Sequence, residues 1–190
     1  MIFLRLIGLV LVVVGLAAAL ATGILLWTPE SLQPDYRTEL PRINSKPAAP
    51  HAPVTGMPAA GNPIGVLEIP RLGLSSVVIE GDETAALLLG VGHLSDTPLP
   101  WRAGNSVFAA HRDTFFRELG RIRPKDIIRF KTADTELDYR VRDTKIVGPR
   151  DVQVLAPTKR STLTLITCYP FTYIGPAPKR FIVRAERPAA

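Results

Sequence analysis

Ser161-Thr-Leu-Thr-Leu-Ile-Thr-Cys168-Tyr-Pro170, with the return run Lys179-Arg-Phe-Ile-Val-Arg184 close behind it, decides how this chain is read. Residues 162–167 are β-branched or aliphatic, the composition of a buried strand. Pro170 cannot donate to a sheet ladder, so the strand is expected to stop there. At its end stands Cys168, the only cysteine in 190 residues. A lone thiol at the lip of a sheet suits a nucleophile. Taken alone it suits a small buried hydrophobe equally well.

Working outward, the residues upstream from Ile64 repeat the strand-and-turn pattern. Residues 65–72, 75–79, 105–110, 126–131, 137–147, 162–167 and 181–183 read as short strands separated by Pro, Gly and polar turns. Residues 82–89 read as one short helix capped by Asp82, and Gly90-Val-Gly92 with Thr97-Pro-Leu-Pro100 as a loop that contains His93. Around eight short strands with little helix argue a mainly β domain, a closed or nearly closed barrel. Eighteen prolines and fourteen glycines agree with that and disfavour a helical bundle. With 46% hydrophobic residues the chain can bury one good core.

The first part of the chain is of another kind. Leu6 to Trp27 carries no charge and is long enough to span a bilayer as one helix. Ala19-Leu20-Ala21 resembles a signal-peptide cleavage site, but the apolar run exceeds the usual length of such peptides, so an uncleaved anchor over 1–27 is expected. Arg5 and the amino terminus then lie in the cytoplasm and the remainder outside the membrane, with Arg37, Arg42 and Lys46 on the far side weakening that signal. Residues 28–63 hold eight prolines and little hydrophobic periodicity, which predicts an extended stalk with His51 as a solvated bystander. A catalytic domain over 64–190 completes the expected organisation.

The net charge of +6 is spread among acids, and no helix-turn-helix, zinc-finger or RNP pattern appears, so no nucleic-acid partner is expected. The charge reads as a solvated face with a weak pull toward anionic envelope polymers or lipid headgroups. A single cysteine excludes an internal disulfide framework. No cysteine pair, HExxH spacing, phosphate loop or G-x-S-x-G elbow is present, so no metal and no cofactor is expected. Asp134, Glu136 and Asp138 read as an exposed acidic strand face before they read as a calcium site.

A cysteine nucleophile needs thiolate character, which a neighbouring histidine supplies. His111, at the end of the apolar strand 105–110, is the first candidate and His93 the second. Arg180 offers a fixed positive charge for a developing oxyanion, or else is an exposed arginine on an edge strand.

Thr164-Leu-Ile-Thr-Cys168, with Arg180 twelve residues later and an upstream strand ending in Ala110-His111, resembles the signature of the sortases, cysteine transpeptidases of bacterial cell surfaces. The likeness covers about residues 65–186. His111-Arg-Asp-Thr-Phe-Phe116 and Cys168-Tyr-Pro-Phe171 look most like class D sortases. Ala110 departs from the glycine many sortases carry before the histidine. The resemblance implies an eight-stranded sortase barrel on an N-terminal anchor in the bacterial plasma membrane. It implies that Cys168 attacks the Thr–Gly carbonyl of an LPxTG-like signal at the C-terminus of a secreted protein. His111 is implied as general acid/base and Arg180 as the group that holds substrate and steadies the oxyanion. An amine, from a peptidoglycan precursor or a pilin lysine, then resolves the thioester. Thr167, Ile166, Leu99, Val152, Val154 and Leu155 are the expected groove residues. A hydrolase with the same three residues, an L,D-transpeptidase (which wants Ser-His-Gly-Cys) and a non-catalytic surface barrel are the alternatives.

Overall fold

The computed structural model describes residues 12–17 and 58–188. The chain divides into two units, Met1–Pro34 and Asp35–Ala190. In the first, residues 12–17 are helical, with Val12, Val13, Val14 and Leu16 exposed. Among the described residues no helix is long and apolar enough to cross a membrane. The rest of the expected anchor, and residues 28–57 of the expected stalk, lie outside the described residues.

The second unit is a closed barrel of eight strands: β1 (Pro63–Ile69), β2 (Leu74–Glu80), β3 (Val91–His93), β4 (Asn105–Ala109), β5 (Ile127–Lys131), β6 (Glu136–Val147), β7 (Thr162–Tyr169) and β8 (Lys179–Glu186). They pair in the order β1-β2-β3-β4-β7-β8-β6-β5, and β5 returns to β1. Two pairings are parallel, β2 with β3 and β4 with β7. Successive side chains alternate across a strand. Leu67 and Ile69, Phe108, Phe130, Leu163 and Leu165 therefore fill the barrel. Val77 and Ile79 instead pack outside it under Ala86 of a short helix, α1 (Thr84–Leu89).

Three expectations change. Residues 90–93 are not a loop: Val91–His93 is a strand, wholly buried. Glycine was the misleading signal, because here it serves close backbone approach. A Cβ on Gly92 would come within 2.5 Å of the Gly81 carbonyl oxygen. The helix starts at Thr84, with Glu83 at its N-cap and no side-chain capping bond, so Asp82 is not the cap. The chain stays in the sheet through Gly81, whose N–H donates to the His93 carbonyl, and this delays the helix. The end of the first predicted strand, residues 70–72, is a 3-10 turn.

β6 carries a bulge between Val141 and Asp143. Before it Leu137, Tyr139 and Val141 point into the core. Beyond it Asp143, Lys145 and Val147 pair with Arg184, Ile182 and Arg180 and share their face. One extra residue thus reassigns the outer surface beside β8.

Candidate active site

The site is built from strand register. On β7, Leu163 and Leu165 are interior, so Thr164, Ile166 and Cys168 face outward. On β8 the interior set is Phe181, Val183 and Ala185, which turns Arg180, Ile182 and Arg184 outward. Antiparallel pairing places Cys168 opposite Arg180 and Ile166 opposite Ile182. Cys168 is a half-buried free thiol.

His111 reaches the same row through the parallel pairing. From Asn105↔Thr162 to Ala109↔Ile166 the two strands keep one offset. Past the last ladder pair, Ala110 N–H donates to the Ile166 carbonyl at 3.2 Å, and Thr167 Oγ1 donates to the Ala110 carbonyl at 2.7 Å. The next step of that offset sets His111 level with Cys168. The structure brings the half-buried His111, Cys168 and Arg180 to neighbouring strand ends, on one outer rim of the barrel.

Arg180 uses one nitrogen, Nη1, to donate to the carbonyls of Ala177 (3.2 Å) and Lys179 (3.0 Å). Its Nε and Nη2 make no hydrogen bond among the described residues. That leaves most of its planar donor fork without a partner among the described residues.

The loop between β7 and β8 forms one wall. Arg112, next to His111, donates to the carbonyls of Pro170 (3.0 Å), Tyr173 and Gly175 (3.2 Å), and its guanidinium lies 5.9 Å from the Tyr173 ring centre. Phe171 packs edge-on against Tyr169 and Phe181. It also lies over Gly120, where a Cβ would meet the ring at 3.0 Å. In the sequence Arg112 stands out only as part of the His111-Arg-Asp-Thr-Phe-Phe116 run. Its clamp on a loop 58 to 63 residues away is a tertiary fact.

The β6–β7 segment forms the other wall. Asn105, wholly buried, donates through Nδ2 to the carbonyls of Val154 (3.0 Å) and Ala156 (3.2 Å), while its Oδ1 accepts from Thr164 Oγ1 (2.7 Å). This fixes a 3-10 turn, Val152–Leu155, at the outer face of β4 and β7. Val154 and Leu155 are half-buried there, and Val152 is exposed. Ile166 sits on the outward face one row from Cys168. Two other expected groove residues are elsewhere. Leu99 is in the barrel core at 3% exposure and has no surface to offer a peptide. Thr167 alternates inward and is buried, its hydroxyl taken by Ala110. The sequence reading missed Asn105; an asparagine opening an otherwise apolar strand is the one signal that could have found it.

His93 is not at the rim. It is fully buried, with Nδ1 2.7 Å from Glu80 Oε2, and with Thr97 Oγ1 (3.2 Å) and the Pro98 carbonyl (3.3 Å) at Nε2. Nδ1 is engaged with β2 and Nε2 with the β3–β4 connection. Among the described residues no group of three or more His, Cys, Asp or Glu side chains could hold a metal ion. Of the acidic strand residues, Glu136 and Asp138 are both paired with Arg129.

With this geometry in hand, comparison is decisive: the Sortase domain family matches residues 67–188. The chain belongs to the sortase family. It is 37% identical over 131 residues to Sortase D of Bacillus subtilis (strain 168), covering 68% of this chain and 66% of that relative. The barrel superposes on Sortase A from Corynebacterium diphtheriae with a TM-score of 0.64 at 30% identity, over 70% of this chain and 63% of that one. It also matches a Clostridium perfringens sortase C solved with the C-terminal cell wall sorting motif, with a TM-score of 0.62 at 28% identity, over 70% and 74% of the two chains. The eight-stranded barrel expected from sequence is therefore a sortase barrel.

Proposed function

We propose that this sortase is a membrane-anchored cysteine transpeptidase acting on an LPxTG-like sorting signal. The observation that carries the reading is the single rim holding His111, Cys168 and Arg180. The Cys168 thiolate attacks the Thr carbonyl carbon, and the carbonyl π electrons move to oxygen. The free donors of Arg180 stabilise that oxyanion. As the C–N bond breaks, His111 gives its proton to the departing glycine nitrogen, leaving a thioester on Cys168. An incoming amine attacks the thioester, His111 takes its proton, and the thiolate is released.

The comparison with a sortase solved beside its cell wall sorting motif supports the substrate class. The uncharged run 6–27, helical and aliphatic over 12–17, supports an anchor that holds the domain outside the plasma membrane. A peptidoglycan precursor or a pilin lysine supplies the amine. The test takes the full chain in detergent with an LPxTG-type peptide and triglycine, read by intact-mass spectrometry. An acyl adduct on Cys168 and a triglycine-capped product are expected, both absent in Cys168→Ala and much reduced in His111→Ala and Arg180→Ala. Release only as free acid would establish a hydrolase. No adduct with any sorting peptide, on a folded protein whose thiol resists alkylation, would establish a binding module.

A further inference from the structure

The charge of the barrel is divided along the chain. Residues 58–139 contain nine basic and eleven acidic side chains, whereas residues 140–188 contain ten basic and three acidic ones. The second set holds the later part of β6 with β7 and β8, the two strands that carry Cys168 and Arg180. Its side chains also fall into order on the outer face. Behind the Cys168–Arg180–Val147 row lies Ile166–Ile182–Lys145, and behind that Thr164–Arg184–Asp143. Among the described residues neither the Lys145 side chain nor that of the half-buried Arg184 makes a hydrogen bond or ion pair. Of the three acids, Glu186 is taken by Arg142 (2.5 Å) and Arg160 (3.5 Å), and Asp151 accepts from the backbone of Gln153. Asp143 is the one acid left beside Arg184.

We infer that this face is a subsite for carboxylates in the donor peptide, placed just before the sorting motif. The inference rests on the transpeptidase reading above. The half-buried apolar position Ile166 lies on the Arg184 side of the nucleophile, while Ile182 beside it is covered at 3% exposure. A donor whose apolar motif residues meet Ile166 runs from the scissile bond toward Arg184. Thr164 and Cys168 are four residues apart on one strand, roughly 13 Å, which an extended peptide covers in about four residues. The fourth residue before the scissile threonine is the one preceding the motif. It arrives at Arg184 and Lys145, whose donors have no partner, in a field that is net positive.

The test uses the full chain in detergent and three peptides with the same motif, preceded by glutamates, serines or lysines. At low salt the glutamate peptide is expected to show a KM about fivefold below the serine peptide, and the lysine peptide a KM above it. The gap is expected to shrink below about twofold near 0.5 M NaCl, because exposed charges are screened. Arg184→Gln combined with Lys145→Gln is expected to raise the KM of the glutamate peptide to that of the serine peptide. Equal KM values for the three peptides, or an acidic preference that survives in the double variant, would overturn the inference. Fluorescence anisotropy on Cys168→Ala gives the same comparison as Kd. Charge-selective binding without turnover would support the subsite while sinking the transpeptidase reading, and turnover without charge selectivity would do the reverse.

Discussion

Thr167 Oγ1 donates a 2.7 Å hydrogen bond to the carbonyl of Ala110, the last fixed contact between β4 and β7 before the rim. Each residue of that pair immediately precedes a group of the proposed reaction, Cys168 on one strand and His111 on the other. The bond therefore sets the relative height of thiol and imidazole. Thr167→Val keeps the shape but leaves a buried carbonyl unpaired, a cost of about 1–3 kcal/mol. The acylation rate is expected to fall about tenfold with little change in KM, and Thr167→Ser to recover most of it. Single-turnover acylation beside a denaturant titration checks this. A loss of stability with an unchanged rate per folded molecule would sink the positioning role.

Arg112 holds three carbonyls of the β7–β8 loop, which leads directly into Arg180. Arg112→Ala is expected to release that loop to protease cleavage within 170–178 and to raise KM several-fold. Arg112→Lys should rescue only part of this, since an ammonium cannot span several carbonyls as a planar fork does. Cleavage at the wild-type rate in Arg112→Ala would exclude the clamp.

His93 and Glu80 sit in the core and do no chemistry at the rim. Removing one partner strands the other in a dry interior. His93→Ala is expected to destabilise by about 3 kcal/mol, seen as a lower denaturant midpoint. Acylation per folded molecule should stay within about twofold, so a selective loss of acylation in a fully folded variant would reinstate His93 at the site.

Tyr139 and Asp126 each make the stability of the fold depend on pH. Burial pushes the Tyr139 phenol up to about 12, and its O–H donates to the Pro100 carbonyl at 2.7 Å. The folded state thus favours the protonated phenol. That contribution is complete below the unfolded value near 10 and is lost as pH rises from about 10 through 12. Tyr139→Phe should flatten the alkaline limb of a stability profile while costing about 1 kcal/mol at neutral pH. Asp126 has the opposite sign. The Arg71 guanidinium holds its carboxyl below the usual range, so its contribution is present above about pH 4 and fades as pH falls through the folded value. Arg71→Ala should weaken this acid limb; an unchanged acid limb would remove the pair from the account.

What the sequence determined by itself was what short-range chemistry encodes. β-branched runs between turn residues marked seven of the eight strands, Pro170 marked the end of β7, and the Thr-Leu-Ile-Thr-Cys168 motif named the thiol. These features depend only on a residue and its near neighbours. Tertiary structure decided everything that rests on chain closure. β3 was hidden because Gly92 is a close-contact residue, a role indistinguishable in sequence from a loop glycine. Leu99 was placed in the groove because an apolar residue looks the same whether it faces a core or a ligand. The parallel β4–β7 pairing joins residues 57 apart, and the β6 bulge puts Lys145 on the same face as Arg184. Local preference sets which segments extend, but register between distant strands is set by the packing of the whole barrel, and the candidate site is a product of that register.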